Sequence, residues 1–196
     1  MKKLNIGIDI DGTVTEPYYW LPAANRYFNT QVKPEEITDY EIHKAMGIER
    51  QDYERFYAAY GRMLHGNAKL RAGVHETLHG FSASHGLHFI TAREEDMRDI
   101  SADWLQKHDL PASTLWHVGG RNKSVQAKKL GCDVFLEDCY QNAIMLAEAG
   151  IPVLLLDLNY NQGTLPKIVT RVKNWHQIRR TIESMSGQMD EMQTAM

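Results

Sequence analysis

Two aspartates, Asp9 and Asp11, flank a single isoleucine at the end of an apolar run, directly ahead of Gly12-Thr13. Alternate residues of a strand share a side, so both carboxylates face one way before the chain turns. Such a pair repels unless a cation or a shared proton compensates. A hard ion that prefers oxygen ligands, such as Mg²⁺, meets that need. Three later positions hold residue types suited to the same chemistry, the transfer of a phosphoryl group: the hydroxyl of Thr91, the ammonium of Lys123 and the acidic pair Glu137-Asp138. Asp138 is a further metal ligand, with Glu137 an outer-sphere candidate behind it. Singly, each has a plain structural explanation. Asp11 before Gly12 makes a turn residue, Thr91 a helix cap and Lys123 a surface lysine. Their ordered conjunction lifts them above those readings.

The elements that must position these residues alternate. Leu4 to Ile10 (LNIGIDI) has the continuous apolar character of a strand buried on both faces. A helix over Val74 to Ser84 precedes a strand Leu87 to Thr91, and a helix from Glu94 to His108 precedes a strand Thr114 to Val118. A helix Lys123 to Leu130 then leads to a strand Asp133 to Leu136. Another, Gln141 to Ala149, leads to a strand Pro152 to Leu156, and Asn174 to Met185 forms a closing helix. Strand–helix alternation implies a parallel sheet covered on both faces, with ligands at the carboxyl ends of its strands. Every residue named above falls after a strand or ahead of one. Residues 17–70 differ: they are aromatic and of helical period, clearest from Gln51 to Leu64. The expected organisation is a core of residues 1–16 and 71–188, a helical cap of residues 17–70 inserted after the first strand, and a flexible tail at 189–196.

Composition limits the partners. A net charge of −3 gives no reason to expect a nucleic-acid polymer as partner, which would need a basic surface. No run approaches the roughly 18 apolar residues of a membrane helix. The apolar stretch behind Met1-Lys2-Lys3 is too short for a signal peptide and is broken by Asp9 and Asp11. Two cysteines, Cys132 and Cys139, make neither a disulfide framework nor a CxxC pair. The expectation is a cytoplasmic protein with a small-molecule partner; its oligomeric state is not legible.

Asp9-Ile10-Asp11-Gly12-Thr13 resembles the DxDGT signature of the haloacid dehalogenase superfamily. Thr91 in Phe-Ile-Thr-Ala-Arg resembles its hydroxyl motif, Lys123 its lysine motif and Glu137-Asp138 its acidic motif. The set is in order and spans the catalytic core. The resemblance implies a Rossmann-like, three-layer α/β core and a magnesium-dependent phosphatase. Asp9 would attack phosphorus and form an aspartyl-phosphate. Asp11 would protonate the leaving oxygen and then deprotonate the resolving water. Thr91 and the backbone N–H of Ala92 would bind phosphoryl oxygens, and Lys123 would balance their charge. Mg²⁺ would sit on Asp9, the backbone carbonyl of Asp11, and Asp138.

The substrate must be read from the cap. Tyr18, Tyr19 and Trp20 follow the Asp9 loop most closely and are the candidates to face a ligand, whereas Tyr53, Phe56, Tyr57 and Tyr60 are read as packing. Residues 37–42 (ITDYEI) and the segment from Leu156 to Asn161, ending Tyr160-Asn161, resemble parts of the 5′(3′)-deoxyribonucleotidase family and its bacterial relatives. That resemblance implies hydrolysis of nucleoside or deoxynucleoside monophosphates. The alternatives are a sugar-phosphate or other small-metabolite phosphatase and, from other classes, an inert binding protein or a zinc peptidase. The last rests on His75-Glu76-Thr77-Leu78-His79, an HExxH pattern with His85 where a third ligand could stand. Ser82 occupies the position at which the extended peptidase motif requires glycine.

Overall fold

A computed structural model describes residues 2–194 of the chain. Among them, six parallel strands form one sheet: β1 (Asn5–Ile8), β2 (Gly86–Thr91), β3 (Thr114–His117), β4 (Val134–Glu137), β5 (Val153–Leu156) and β6 (Val169–Val172), in the order β3-β2-β1-β4-β5-β6. The order reverses beside β1, so the crevice between β1 and β4 is the switch point at which such sheets bind ligands. Register fixes what meets there. Ile8 pairs with Leu136, and the Asp9 N–H donates to the Leu136 carbonyl at 3.0 Å. The next residues of the two strands, Asp9 and Glu137-Asp138, are thereby brought to one edge.

Helices cover both faces. On one side α4 (Val74–Ser82), α5 (Arg98–Lys107) and α8 (Trp175–Thr194) enclose a core that contains Ile6, Ile8, Leu78, Phe89, Trp104, Leu136 and Trp175. On the other side α6 (Lys123–Lys129) and α7 (Tyr140–Glu148) pack over Phe135, Val153 and Leu155. Burying each such aliphatic or aromatic side chain is worth about 1.5–3 kcal/mol. Gly7 gives Phe135 its room: a Cβ there would lie 2.4 Å from the ring.

The strand edges fall within a residue or two of the sequence reading, and the sheet and helical insertion are as expected. Three differences are physical. The stretch expected as one helix from Glu94 starts as a 3-10 turn at Glu95–Met97, and α5 begins only at Arg98. β6 has no counterpart in the sequence reading. It is an edge strand with only its end residues buried, so it lacks a continuous apolar run. Of the stretch expected as a tail, residues 189–194 continue α8, and 195–196 lie outside the described residues.

The insertion leaves and rejoins the core across a short antiparallel bridge between Thr15 and Leu70. Between these points α1 (Leu21–Phe28), α2 (Ile42–Met46) and α3 (Arg50–Asn67) enclose their own apolar cluster of Trp20, Leu21, Ala24, Ile37, Met46, Phe56 and Leu64. Arg62 of α3 reaches the core, pairing with Asp99 at 2.5 Å and donating to the Asp96 carbonyl at 2.8 Å. At the far end of the chain, Trp175 donates its indole N–H to the Thr13 carbonyl at 2.9 Å, which pins the loop that follows β1.

Candidate active site

At the carboxyl edge of the sheet, Asp9 follows β1, Asp138 follows β4 and Thr91 ends β2. All three are buried. Lys123 reaches them from the first turn of α6, which is fixed by the Asn122 side chain accepting the Ser124 N–H at 2.9 Å. Its ammonium is buried in contact with Asp9 Oδ1 and lies 3.0 Å from Glu137 Oε2. Burial works against the charge on Lys123, but Asp9 and Glu137 outweigh it and raise the pKa of the ammonium. Burial, opposed by Lys123, pushes the Asp9 carboxyl above its ordinary range. Asp138 is raised by burial and then by the charges of Asp9 and Glu137. Three carboxylates and one ammonium leave negative charge in excess.

Carboxylate oxygens of Asp9, Glu137 and Asp138 lie within 4.8 Å of one another. Glu137 is already engaged: it also accepts from the Cys139 N–H at 3.2 Å and from Asn142 at 3.1 Å. Asp138 is only half engaged: Tyr160 donates to its Oδ2 at 2.5 Å, while its buried Oδ1 has no hydrogen-bond partner among the described residues. A buried all-oxygen donor set with a spare carboxylate oxygen suits a hard divalent cation. Gly12 keeps that space open. Its φ is +80°, and a Cβ there would fall 2.1 Å from Asp138 Oδ2.

Asp11 has different company. Arg93 grips it with both arms of the guanidinium, Nε to Oδ2 at 2.8 Å and Nη2 to Oδ1 at 2.7 Å. Tyr19 donates to Oδ1 at 2.9 Å, and His65 Nδ1 stands 3.3 Å away. The far nitrogen of His65 meets the Tyr57 hydroxyl at 2.8 Å. Burial would raise the Asp11 pKa, but Arg93 and then His65 overcome it and hold the carboxyl well below its usual range.

A family of 5′ nucleotidases, described as deoxy (pyrimidine), cytosolic type C, matches residues 2–188. The chain belongs to this family. A nucleotidase of Clostridium acetobutylicum is 37% identical over 185 residues, covering 94% of this chain and 96% of the relative. Among solved structures, a haloacid dehalogenase-like hydrolase of Streptococcus pneumoniae superposes with a TM-score of 0.68 at 13% identity, covering 93% of this chain and 98% of that one. A haloacid dehalogenase-like hydrolase of Xanthomonas campestris gives 0.66 at 14%, covering 97% and 99%. These two likenesses bear on the fold, which is that of the haloacid dehalogenase superfamily. The chain is a phosphoric monoester hydrolase of the nucleotidase kind.

In this nucleotidase a cavity of about 420 Å³ opens between the edge of the core and the cap. From the core, Asp11, Ala92, Arg93 and Asp138 line it, and Trp20, Tyr40, Tyr53, Phe56, Tyr57 and His65 are among the residues that line it from the insertion. Trp20 therefore faces the cavity. Tyr18 does not line it and packs edge-on against Tyr160 at 6.0 Å. The aromatic stripe read as packing is divided: Tyr53, Phe56 and Tyr57 line the cavity, while Tyr60 packs on Tyr27 and Phe56. Sequence reasoning left the partner of Arg93 open. Its partner is Asp11. It also passed over His65, whose role depends on a contact with Asp11 across 54 positions. Thr91 accepts the Arg93 N–H at 3.2 Å, which shapes the turn carrying Ala92.

The zinc-peptidase pattern does not converge. His75 and His79 share the exposed face of α4, but His85 is buried beneath the sheet edge, where its Nδ1 accepts the Leu4 N–H at 3.2 Å. None of the three lines the cavity.

Proposed function

We propose that this chain is a Mg²⁺-dependent phosphatase of nucleoside or deoxynucleoside monophosphates that works through an aspartyl-phosphate on Asp9. The observation that carries the reading is the placement of Asp9. It is buried at the switch point, touches Lys123 and stands beside Asp138, which has a spare oxygen and lines the aromatic cavity. Asp9, Asp138 and the backbone carbonyl of Asp11 would hold Mg²⁺, whose charge lets an anionic phosphate approach an anionic nucleophile.

An oxygen of Asp9 forms a bond to phosphorus as the bond to the ester oxygen breaks. Lys123 keeps Asp9 oriented and offsets charge on the transferring group. Asp11 supplies the proton that the departing ester oxygen takes up. Water then attacks the phosphorus of the aspartyl-phosphate and passes a proton to Asp11, which releases inorganic phosphate and restores Asp9. Gripped by Arg93, Asp11 is in its proton-accepting form. Donation to the leaving oxygen requires that grip to loosen when substrate enters and Asp11 to take up a proton from solvent first. The proton later received from the attacking water restores it for the next turnover. Thr91 and the Ala92 N–H complete the phosphate cradle. The segment of residues 17–70 serves as the cap, closing over the nucleoside, and Trp20, Tyr53 and Tyr57 offer faces for the base. Stacking of this kind is worth about 1–3 kcal/mol per base in nucleic-acid sites.

The test is a panel of nucleoside monophosphates against sugar phosphates with Mg²⁺, on the natural chain and on Asp9→Asn. Preference for nucleotides, abolished in Asp9→Asn, is the expected outcome. Equal activity across the panel, or preference for sugars, overturns the substrate assignment; activity surviving in Asp9→Asn overturns the mechanism.

A further inference from the structure

The histidines of α4 acquire a different partner from the one their sequence pattern suggests. His75 and His79 stand one helical turn apart with ring centroids 4.3 Å from each other. Asp109, in the turn after α5, places its Oδ2 3.7 Å from His75 Nε2 and 3.5 Å from His79 Nε2. The ligand atoms of all three lie within 4.8 Å of one another. These carboxylate separations are too long for direct hydrogen bonds, which run at about 2.7–3.2 Å. They come close to another geometry, the His79 separation within its span and the His75 separation just beyond it. Tetrahedral bonds of about 2.0–2.2 Å from Zn²⁺ to imidazole nitrogen and carboxylate oxygen leave neighbouring ligand atoms roughly 3.3–3.6 Å apart.

We propose that His75, His79 and Asp109 form a binding site for a borderline divalent cation of the Zn²⁺ class, independent of the carboxylate cluster around Asp9. Two imidazoles and one carboxylate suit Zn²⁺ and its transition-metal neighbours, whereas Mg²⁺ prefers oxygen alone. The side chains of His75, His79 and Asp109 are 47%, 40% and 84% exposed, so an ion enters without any opening of the fold and water takes the remaining position. His79 stands in the last turn of α4, where the carbonyl end of the helix favours a cation. One contact must be exchanged: His79 Nε2 lies 2.7 Å from the Asp109 carbonyl oxygen. Binding gives that nitrogen's lone pair to the ion and leaves the ring proton on Nδ1.

The location sets the consequence. α4 runs back to the start of β2 and α5 to the start of β3, so the site lies toward the amino edge of the sheet, away from Asp9. An ion there ties α4 to the turn between α5 and β3, and it stabilises the folded chain through binding that the unfolded chain cannot reproduce.

Calorimetric titration of Zn²⁺ into the full chain, held in excess Mg²⁺, tests this with the natural sequence, Asp138→Asn, His75→Ala and His79→Ala. Loss of an outer-sphere partner alone costs a metal site about 10–100-fold, so loss of a ligand in either histidine variant should weaken binding by at least about tenfold. Asp138→Asn should bind one Zn²⁺ as the natural chain does. Zn²⁺ should also raise the melting temperature of the natural chain but not of His79→Ala, while Mg²⁺-supported nucleotidase activity stays equal in the two. Absence of binding to the natural chain overturns the proposal. So does unchanged affinity in both histidine variants, or loss of the Zn²⁺ signal in Asp138→Asn alone.

Discussion

The floor of the active site and its wall treat two nearly adjacent aspartates in opposite ways. On the floor, Asp9 is held by residues of the sheet edge and α6. It lies among other carboxylates with one ammonium, and burial raises its pKa. On the wall, Asp11 is held by Arg93 from the core and by Tyr19 and His65 from the cap, and its pKa is lowered. The floor is short of positive charge, which suits a metal site and a nucleophile. The wall is saturated with donors, which suits a proton carrier whose readiness depends on where the cap sits. Two carboxylates two positions apart can take different roles because their partners come from different parts of the chain.

Several substitutions can break or sharpen that contrast. The largest effect is expected on the floor: Asp9→Asn should lower kcat on the order of 10⁴-fold, read by release of inorganic phosphate, and abolish acid-trapped phosphoenzyme. Lys123→Met leaves Asp9 and Glu137 without their buried counter-ion. It should destabilise the metal-free chain by about 3–5 kcal/mol in denaturant unfolding, and added Mg²⁺ should recover part of the loss. Mg²⁺ at about 100 times its dissociation constant should stabilise the natural chain by about 2.7 kcal/mol. Asp138→Asn should remove that gain in a melting series.

Effects on the wall should be smaller. Arg93→Lys replaces a two-armed grip by a point charge and should reduce kcat/KM by roughly 10–100-fold, the worth of one charged hydrogen bond of about 1.5–3 kcal/mol. Tyr19→Phe removes a single donor to Asp11 and should cost several-fold, about 1 kcal/mol, with kcat affected more than KM. An effect of Tyr19→Phe as large as that of Asp9→Asn would erase the distinction between floor and wall.

The floor was legible in the sequence, and most of the wall was not. Asp9, Thr91 and Asp138 each end or follow a strand made recognisable by its apolar run, and Lys123 opens the helix that leads into one of them. Parallel pairing then brings strand ends together without further information. Arg93 and His65 carry no such marker. The contact of His65 with Asp11 depends on how a helical insertion folds back over the sheet, which local periodicity does not specify. Nothing local tells which acid the Arg93 guanidinium takes. The same limit hid β6. Its Thr170 is exposed and its Arg171 bonds to Asp157 and Asn161, so half of the strand reads as polar surface. It also hid the partner of the α4 histidines: Asp109 lies 30 positions beyond His79, in a turn that has no metal-binding pattern of its own.

The indole of Trp175, bonded to the Thr13 carbonyl, bears on the order in which the enzyme becomes competent. Asp9 and Asp11 precede the other residues of the site, yet the loop behind them is pinned by α8, 162 positions further along the chain. Lys123, Asp138 and Tyr160 likewise follow them by more than 100 positions. A growing chain therefore carries Asp9 and Asp11 long before their partners exist, and the proposed chemistry waits on the docking of α8. Partial translation products should accordingly be inert toward the nucleotide pool around them.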